Sequence, residues 1–167
     1  MLGSDYDSQV CSAARALEVV GQRWTLLILR DLFLGVVRFE DLIGSLGVTR
    51  SVLTRRLSHL ESHQLIAREL YQLHPERYEY RLTDKGAELL QVLARLLEWG
   101  DQYYPHPAGP TRLLQHTDCG GDVRSRLTCT ACGEYLEAAD VTALPGPALD
   151  ATGARADSRR GLDDRPG

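Results

Sequence analysis

A mainly α chain with one small β-hairpin is predicted by three observations. Apolar residues recur at three- and four-residue spacing in most of the stretches between positions 11 and 104, as Leu53, Leu57 and Leu60 do, which places them on one face of a helix. Between residues 65 and 82 the period falls to two, the signature of strands. After Pro105-His-Pro-Ala-Gly-Pro110 the periodicity stops, and His and Cys residues recur in a short internal repeat.

With 167 residues, 43% of them hydrophobic, the chain has room for one domain with a real core and an appendage. No window approaches the roughly 18 consecutive apolar residues of a membrane span. The N-terminal Met-Leu-Gly-Ser-Asp-Tyr-Asp lacks the basic-then-apolar order of a secretion signal. A cytoplasmic protein with no membrane partner is therefore expected. A net charge of −4 argues against indiscriminate coating of nucleic acid, which needs net cationic charge and counterion release, yet it permits a focused basic patch. Four cysteines in a reducing compartment point to metal or redox chemistry before structural disulfides.

Residues 11–20 favour helix and stop at Gly21. Residues 24–34 are apolar almost all round and are expected to form the buried central helix. Residues 39–46 make a short helix with Glu40 and Asp41 in its first turn, where the helix dipole favours acid. Gly47 and Val48 form a tight turn, and Thr49 or Ser51 caps a further helix that runs to about His63. Short helix, turn and second helix constitute a helix-turn-helix. The second helix buries Leu53, Leu57 and Leu60 and turns Ser51, Thr54, Arg55 and Ser58 outward, with no acidic residue between Arg50 and Leu60. A solvated face normally mixes Glu with Arg to gain i,i+4 pairs, so a hydroxylic and cationic face suits an anionic partner. Alone, it also fits an ordinary amphipathic surface helix; its neighbours decide.

Residues 65–71 and 78–82 read as strands, with Pro75 near the tip of their connection. A helix-turn-helix followed by a hairpin is a winged helix, whose wing tip brings Arg77, and with it His74, beside the recognition helix. Residues 83–104 read as one helix opened by Thr83 or Asp84, with a stripe of Leu89, Leu90, Leu93, Leu96, Leu97, Trp99 and Tyr103. That stripe is longer than a small domain needs; it packs either on its own domain or against a second copy. The organisation expected is thus a winged helix domain over residues 1–104, a linker at 105–110, an appendage at 111–144 and a disordered tail at 145–167, where large apolar residues run out.

The appendage carries the repeat. His116-Thr-Asp-Cys119-Gly and Cys129-Thr-Ala-Cys132-Gly share the order ligand, two residues, Cys, Gly. Each half is a zinc-knuckle pattern, in which glycine lets the backbone bend so that amides point at thiolate sulfur. Together they resemble a zinc ribbon with Cys3His ligation, one zinc ion per chain. Four protein ligands close the coordination sphere, so the metal would be structural, and a segment this short needs such a staple. Reduced spectator cysteines or a thiol–disulfide pair are the alternatives. Cys11 stands apart at the start of the first helix, where the helix terminus and Arg15 one turn on favour a thiolate; it also fits as a half-buried small residue.

Cys11-Ser-Ala-Ala-Arg-Ala-Leu-Glu-Val-Val-Gly-Gln-Arg-Trp-Thr-Leu-Leu-Ile-Leu-Arg-Asp-Leu, then Arg38-Phe-Glu-Asp-Leu, Val52-Leu-Thr-Arg-Arg-Leu and Tyr78-Glu-Tyr-Arg-Leu-Thr-Asp-Lys-Gly, resemble the HxlR-type winged helix-turn-helix regulators, over about residues 8–104. The resemblance implies a homodimer, formed by helices at both ends of the domain, on a pseudo-palindromic operator. Several family members respond to electrophiles or oxidants through a cysteine at the position Cys11 occupies. The segment after Pro110 departs from shorter members, and the family does not explain it.

The function expected is sequence-specific DNA binding by a homodimeric transcriptional regulator, a repressor in the first reading. Arg50 and Arg55 would seek guanine edges or phosphates, Ser51, Thr54 and Ser58 would contact bases or backbone, and Arg38 and Arg77 would hold phosphates. The alternative is a redox- or metal-sensing switch in which Cys11 or the His/Cys cluster controls DNA binding, with a small-molecule or electrophile effector. An enzyme is not expected, because no Ser-His-acid set, phosphate-cradling glycine loop or paired-carboxylate motif is present.

Overall fold

The computed structural model describes Tyr6 and residues 9–151. The chain divides into two compact units, one built on Ser12–Ser125 and one on the chain from Arg126 onward together with the residues just before Ser12.

The first unit opens with α1, Ser12–Val20, and α2, Thr25–Phe33. Gly21 closes α1 by donating its N–H to the Leu17 carbonyl at 2.7 Å. As expected, α2 is the central helix, with Ile28, Leu29 and Leu32 buried. Less expectedly for so apolar a segment, Asp31 is buried as well. Its Oδ1 accepts from Arg30 Nε at 2.9 Å and from Arg30 Nη2 at 2.6 Å, while Oδ2 has no partner.

The helix α3, Phe39–Leu46, ends on Gly47 at φ +63°, a left-handed turn that glycine adopts without steric cost. Then α4, Arg50–Ser62, starts at Thr49, whose hydroxyl accepts from the Val52 N–H at 3.4 Å. Leu53, Leu57 and Leu60 of α4 join Leu42 and Leu46 of α3, the α2 residues, Val48, Leu65, Ile66 and Leu93 in one buried cluster. Each such leucine contributes about 1.5–3 kcal/mol relative to exposure, which fixes the angle at which α4 leaves the domain.

The wing is a hairpin of β1, Ile66–Leu73, and β2, Glu76–Leu82. It is longer than the sequence reading because pairing continues past a register shift at Tyr71 to Gln72↔Arg77 and Leu73↔Glu76, leaving His74 and Pro75 alone at the tip. A third short edge is added where the Tyr80 N–H donates to the Val37 carbonyl at 2.8 Å and Arg38 bridges to Glu79.

The helix expected over 83–104 is two helices, α5, Asp84–Ala87, and α6, Leu90–Tyr103. The Leu89 N–H bonds to the Gly86 carbonyl and the Gln91 N–H to the Glu88 carbonyl, tighter three-residue steps that end one helix and restart it. A Cβ on Gly86 would collide with the Leu65 carbonyl, so α5 approaches β1 at a distance only glycine allows. On α6, Leu93 and Ala94 are buried, while Leu96, Trp99 (47% exposed) and Tyr103 (59% exposed) are not.

The division at Ser125 falls inside the segment 111–144 that the sequence presents as one appendage. A continuous zinc ribbon is not seen among the described residues. The first unit ends in a turn bridged by Gln115 and Asp122. The second holds β3, Leu127–Thr128, paired with β4, Tyr135–Leu136, then a 3-10 turn Ala138–Asp140 and a five-residue helix α7, Pro147–Ala151. That last helix occupies the start of the expected disordered tail; residues 152–167 lie outside the described residues. Among the described residues no helix is long and apolar enough to cross a membrane.

Candidate nucleic-acid interface

The sequence-derived residues of α4 fall on one exposed face. Ser51, Thr54, Arg55 and Ser58 all face solvent, opposite the buried leucines. Their surroundings divide the cations into two kinds. Arg55 and Arg77 are exposed and, among the described residues, form no ion pair. Arg50 and Arg38 are engaged by acid from other elements.

Arg50 Nη2 lies 2.6 Å from Glu40 Oε1 and Nη1 donates to Glu40 Oε2 at 2.7 Å, an end-on pair between α4 and α3. Its guanidinium also stands 5.2 Å from the Phe39 ring centre. Arg38 Nε donates to Glu79 Oε1 at 3.1 Å and its guanidinium lies 4.8 Å over the Tyr71 ring. The hydrogen bonds that Arg50 donates to Glu40 and Arg38 to Glu79 push both guanidinium pKa values further up, so both remain cations. The Arg50–Glu40 pair is largely exposed and easily exchanged for a phosphate, whereas Glu79, the partner of Arg38, is mostly buried. The helix carries no acid between Arg50 and Leu60, but its neighbours supply carboxylates to its first turn.

Arg56 is the inward arginine, half-buried with its Nε lacking a partner, and contributes no free cation to the face. Two wing arginines escaped the sequence reading. Arg68 stacks 4.0 Å over Tyr78, and Arg81 pairs with Glu69 at 2.7 Å and with Glu79 at 3.1 Å. The alternation of β2 could have pointed to Arg81, which shares a face with Arg38's partner Glu79, whereas Arg68 lies opposite Tyr80 on the other face.

The two knuckle sequences fold alike, each within its own unit. In the first turn the Gly120 N–H donates to the His116 carbonyl at 2.8 Å and the His116 N–H to the Gly121 carbonyl at 2.8 Å. In the second, the Gly133 N–H donates to the Cys129 carbonyl and the Cys129 N–H to the Glu134 carbonyl, each at 2.9 Å. Gly120 and Gly133 have φ of +70° and +77°, the left-handed bend the sequence reading required of them. His116 Nδ1 and Cys119 Sγ are 3.3 Å apart. Backbone hydrogen bonds from Cys132 and Ala131 hold the Cys129 thiol pKa below its ordinary value. Among the described residues no group of three or more His, Cys, Asp or Glu is gathered as a metal site.

Cys11 is an exposed free thiol immediately before α1. Arg15, expected to face it, points its Nη2 at the Ser12 hydroxyl at 3.3 Å.

A recognition helix on a buried leucine stripe, a capped turn before it and a paired wing after it define a winged helix-turn-helix DNA-binding domain. The HxlR-like helix-turn-helix family matches residues 19–108, and the chain belongs to that family. It is 49% identical over 140 residues to the uncharacterized HTH-type transcriptional regulator Rv3095 of Mycobacterium tuberculosis, covering 84% of this chain and 89% of that one. It is similar to the crystal structure of PA1607, assigned as a transcription factor, with a TM-score of 0.71 and 33% identity over 82% of this chain and 96% of that one. It is also similar to the oxidized form of the redox regulator HypR, with a TM-score of 0.52 and 29% identity over 55% of this chain and 96% of that one. The protein is a transcriptional regulator with a helix-turn-helix DNA-binding domain.

Proposed function

We propose that the chain acts as a homodimeric repressor, each copy laying α4 in the major groove at one half of a pseudo-palindromic operator. The observation that carries this reading is the two-sidedness of α4, whose leucines are buried while Ser51, Thr54, Arg55 and Ser58 face solvent. Arg55 and Arg50 are assigned to guanine edges or phosphates, the hydroxyls to bases or backbone, and Arg38 and Arg77 to phosphates. The uncovered apolar face of α6 supports a second copy, since leaving such a patch in water is costly. Genomic footprinting with sedimentation velocity tests the reading. A two-fold symmetric footprint made by a species of twice the chain mass, with transcription rising when the protein is removed, is the expected result; a monomer or an asymmetric footprint overturns it.

A second reading, that Cys11 switches DNA binding by reacting with an oxidant or electrophile, is favoured by its exposed thiol at the start of α1 and by the similarity to HypR, itself a redox regulator. The Cys11→Ser protein is expected to bind DNA like the parent and to ignore quinones; a normal quinone response in that protein removes Cys11 from the signal.

We further propose that His116, Cys119, Cys129 and Cys132 hold one structural zinc ion per chain. The donor set is that of a structural zinc site, and the shared turn geometry of the two halves fits it. The 3.3 Å between His116 Nδ1 and Cys119 Sγ is close to the about 3.6 Å edge of a tetrahedron with ordinary Zn–N and Zn–S bonds. Bound zinc would supply the cross-link that so small a core lacks. Metal analysis of the purified protein is expected to return one zinc per chain, lost in Cys129→Ser; a metal-free parent overturns the proposal. Zinc release by mild oxidant together with lost DNA affinity would make the cluster a sensor instead of a staple.

A further inference from the structure

His59 lies in the C-terminal half of α4, one turn beyond Arg55, and is half-buried. Its Nε2 is 3.0 Å from the carbonyl oxygen of Val19, in the last turn of α1. A carbonyl can only accept, so the ring donates its Nε2–H. Among the described residues this is the one hydrogen bond between α1 and any element from α2 onward. The partners are 40 positions apart in sequence, and the bond satisfies one of the terminal carbonyls that a helix leaves without an internal partner.

The same end of α4 is pinned again close by. The His63 ring packs on His59 with centres 4.6 Å apart, Lys85 Nζ donates to the His63 carbonyl at 2.8 Å, and the Leu65 N–H donates to the Leu60 carbonyl at 3.0 Å. The opposite end, bearing Arg50, Ser51 and Thr54, is held by the Thr49 cap and the exposed Arg50–Glu40 pair. Beyond its buried leucines, the recognition helix is thus tied at its C-terminal end by hydrogen bonds to Val19, Lys85 and Leu65.

We propose that His59 is a positioning residue that carries the placement of α1 into the recognition helix, and that it thereby sets the half-site spacing the dimer accepts. The inference rests on the homodimer reading, extended to α1 as the family resemblance implies; Leu17 of α1 is about half exposed and available for the contact. With the Nε2–H in place, any displacement of α1 moves the C-terminal end of α4, and the two recognition helices keep one separation. Without it, α4 is held to α1 by side-chain packing alone and a range of separations is tolerated.

The test uses the full-length protein, duplexes carrying the footprinted site, and the same site with one base pair added or removed between its halves. The parent is expected to prefer the native spacing. His59→Leu, which keeps apolar volume and removes the donor, is expected to remain dimeric and to lose about fivefold of that preference, the worth of one hydrogen bond. Its affinity for random duplex should stay as in the parent. His59→Gln, whose amide N–H reaches to a similar distance, is expected to restore the preference. A His59→Leu dimer that discriminates spacing like the parent overturns the proposal, as does a His59→Gln protein as relaxed as His59→Leu, since ring packing and not the donor would then matter. A parent that is monomeric or blind to spacing overturns the homodimer reading itself, which is a separate result.

Discussion

Arg55 and Arg50 leave the same helix and meet different surroundings. Arg55 is exposed with no internal ion pair among the described residues, and its charge is at the disposal of a ligand. Arg55→Ala is expected to weaken specific binding by about 1–3 kcal/mol and to relax one operator position, as a gel-shift series over substituted sites would read. Arg50 is shared with Glu40, and Glu40→Gln is expected to act in the opposite sense. Removing the carboxylate leaves the cation unopposed, so affinity for random duplex should rise a few-fold and the slope of log affinity against log salt should steepen by about one. An unchanged slope would mean that Arg50 does not approach phosphate. The outward face of α4 was legible in the sequence because a helix period is local: once Leu53, Leu57 and Leu60 are inside, Ser51, Thr54 and Arg55 must be outside. Glu40 as the partner of Arg50 was not legible, because it depends on the angle between α3 and α4, which the core and not the local pattern decides.

The elements themselves followed the same logic. The bounds of α3, the cap at Thr49 and the stop at Gly47 were readable from residue types whose conformational demands act over one turn. The break between α5 and α6 was not, since the apolar stripe continues through it. Three-residue hydrogen-bond steps at Leu89 and Gln91 mark the break, and just before it Gly86 lies against the Leu65 carbonyl, a meeting of residues distant in sequence. Gly86→Ala is accordingly expected to destabilise the domain by about 1–3 kcal/mol, since the extra methyl has no place unless α5 moves off β1. A thermal melt reads it, and a melting temperature equal to the parent's would show that α5 shifts without cost. The wing was placed correctly but drawn too short, because Tyr71 interrupts the alternation at a register shift and pairing resumes beyond it.

For the whole molecule, the apolar face of α6 is the feature that a single copy leaves unexplained. Leu96→Glu, on that face and half exposed, is expected to leave the fold intact and to shift sedimentation to the monomer. Operator affinity should fall roughly tenfold or more, about 1.4 kcal/mol per factor of ten. A variant that still sediments with the parent would place the dimer contact elsewhere. Each knuckle turn was legible, because four residues and a glycine define it, but the division at Ser125 cuts through the segment that the repeat presents as one piece. Lysine usage has a practical corollary. Lys85, the chain's only lysine, is exposed on α5 with its ammonium on the carbonyl of His63, the residue that follows α4. An amine-directed label would therefore mark, apart from the α-amino group, a single point in the protein. That point lies beside the anchored end of the recognition helix, so one fluorophore there would report on its surroundings as DNA, oxidant or metal is added.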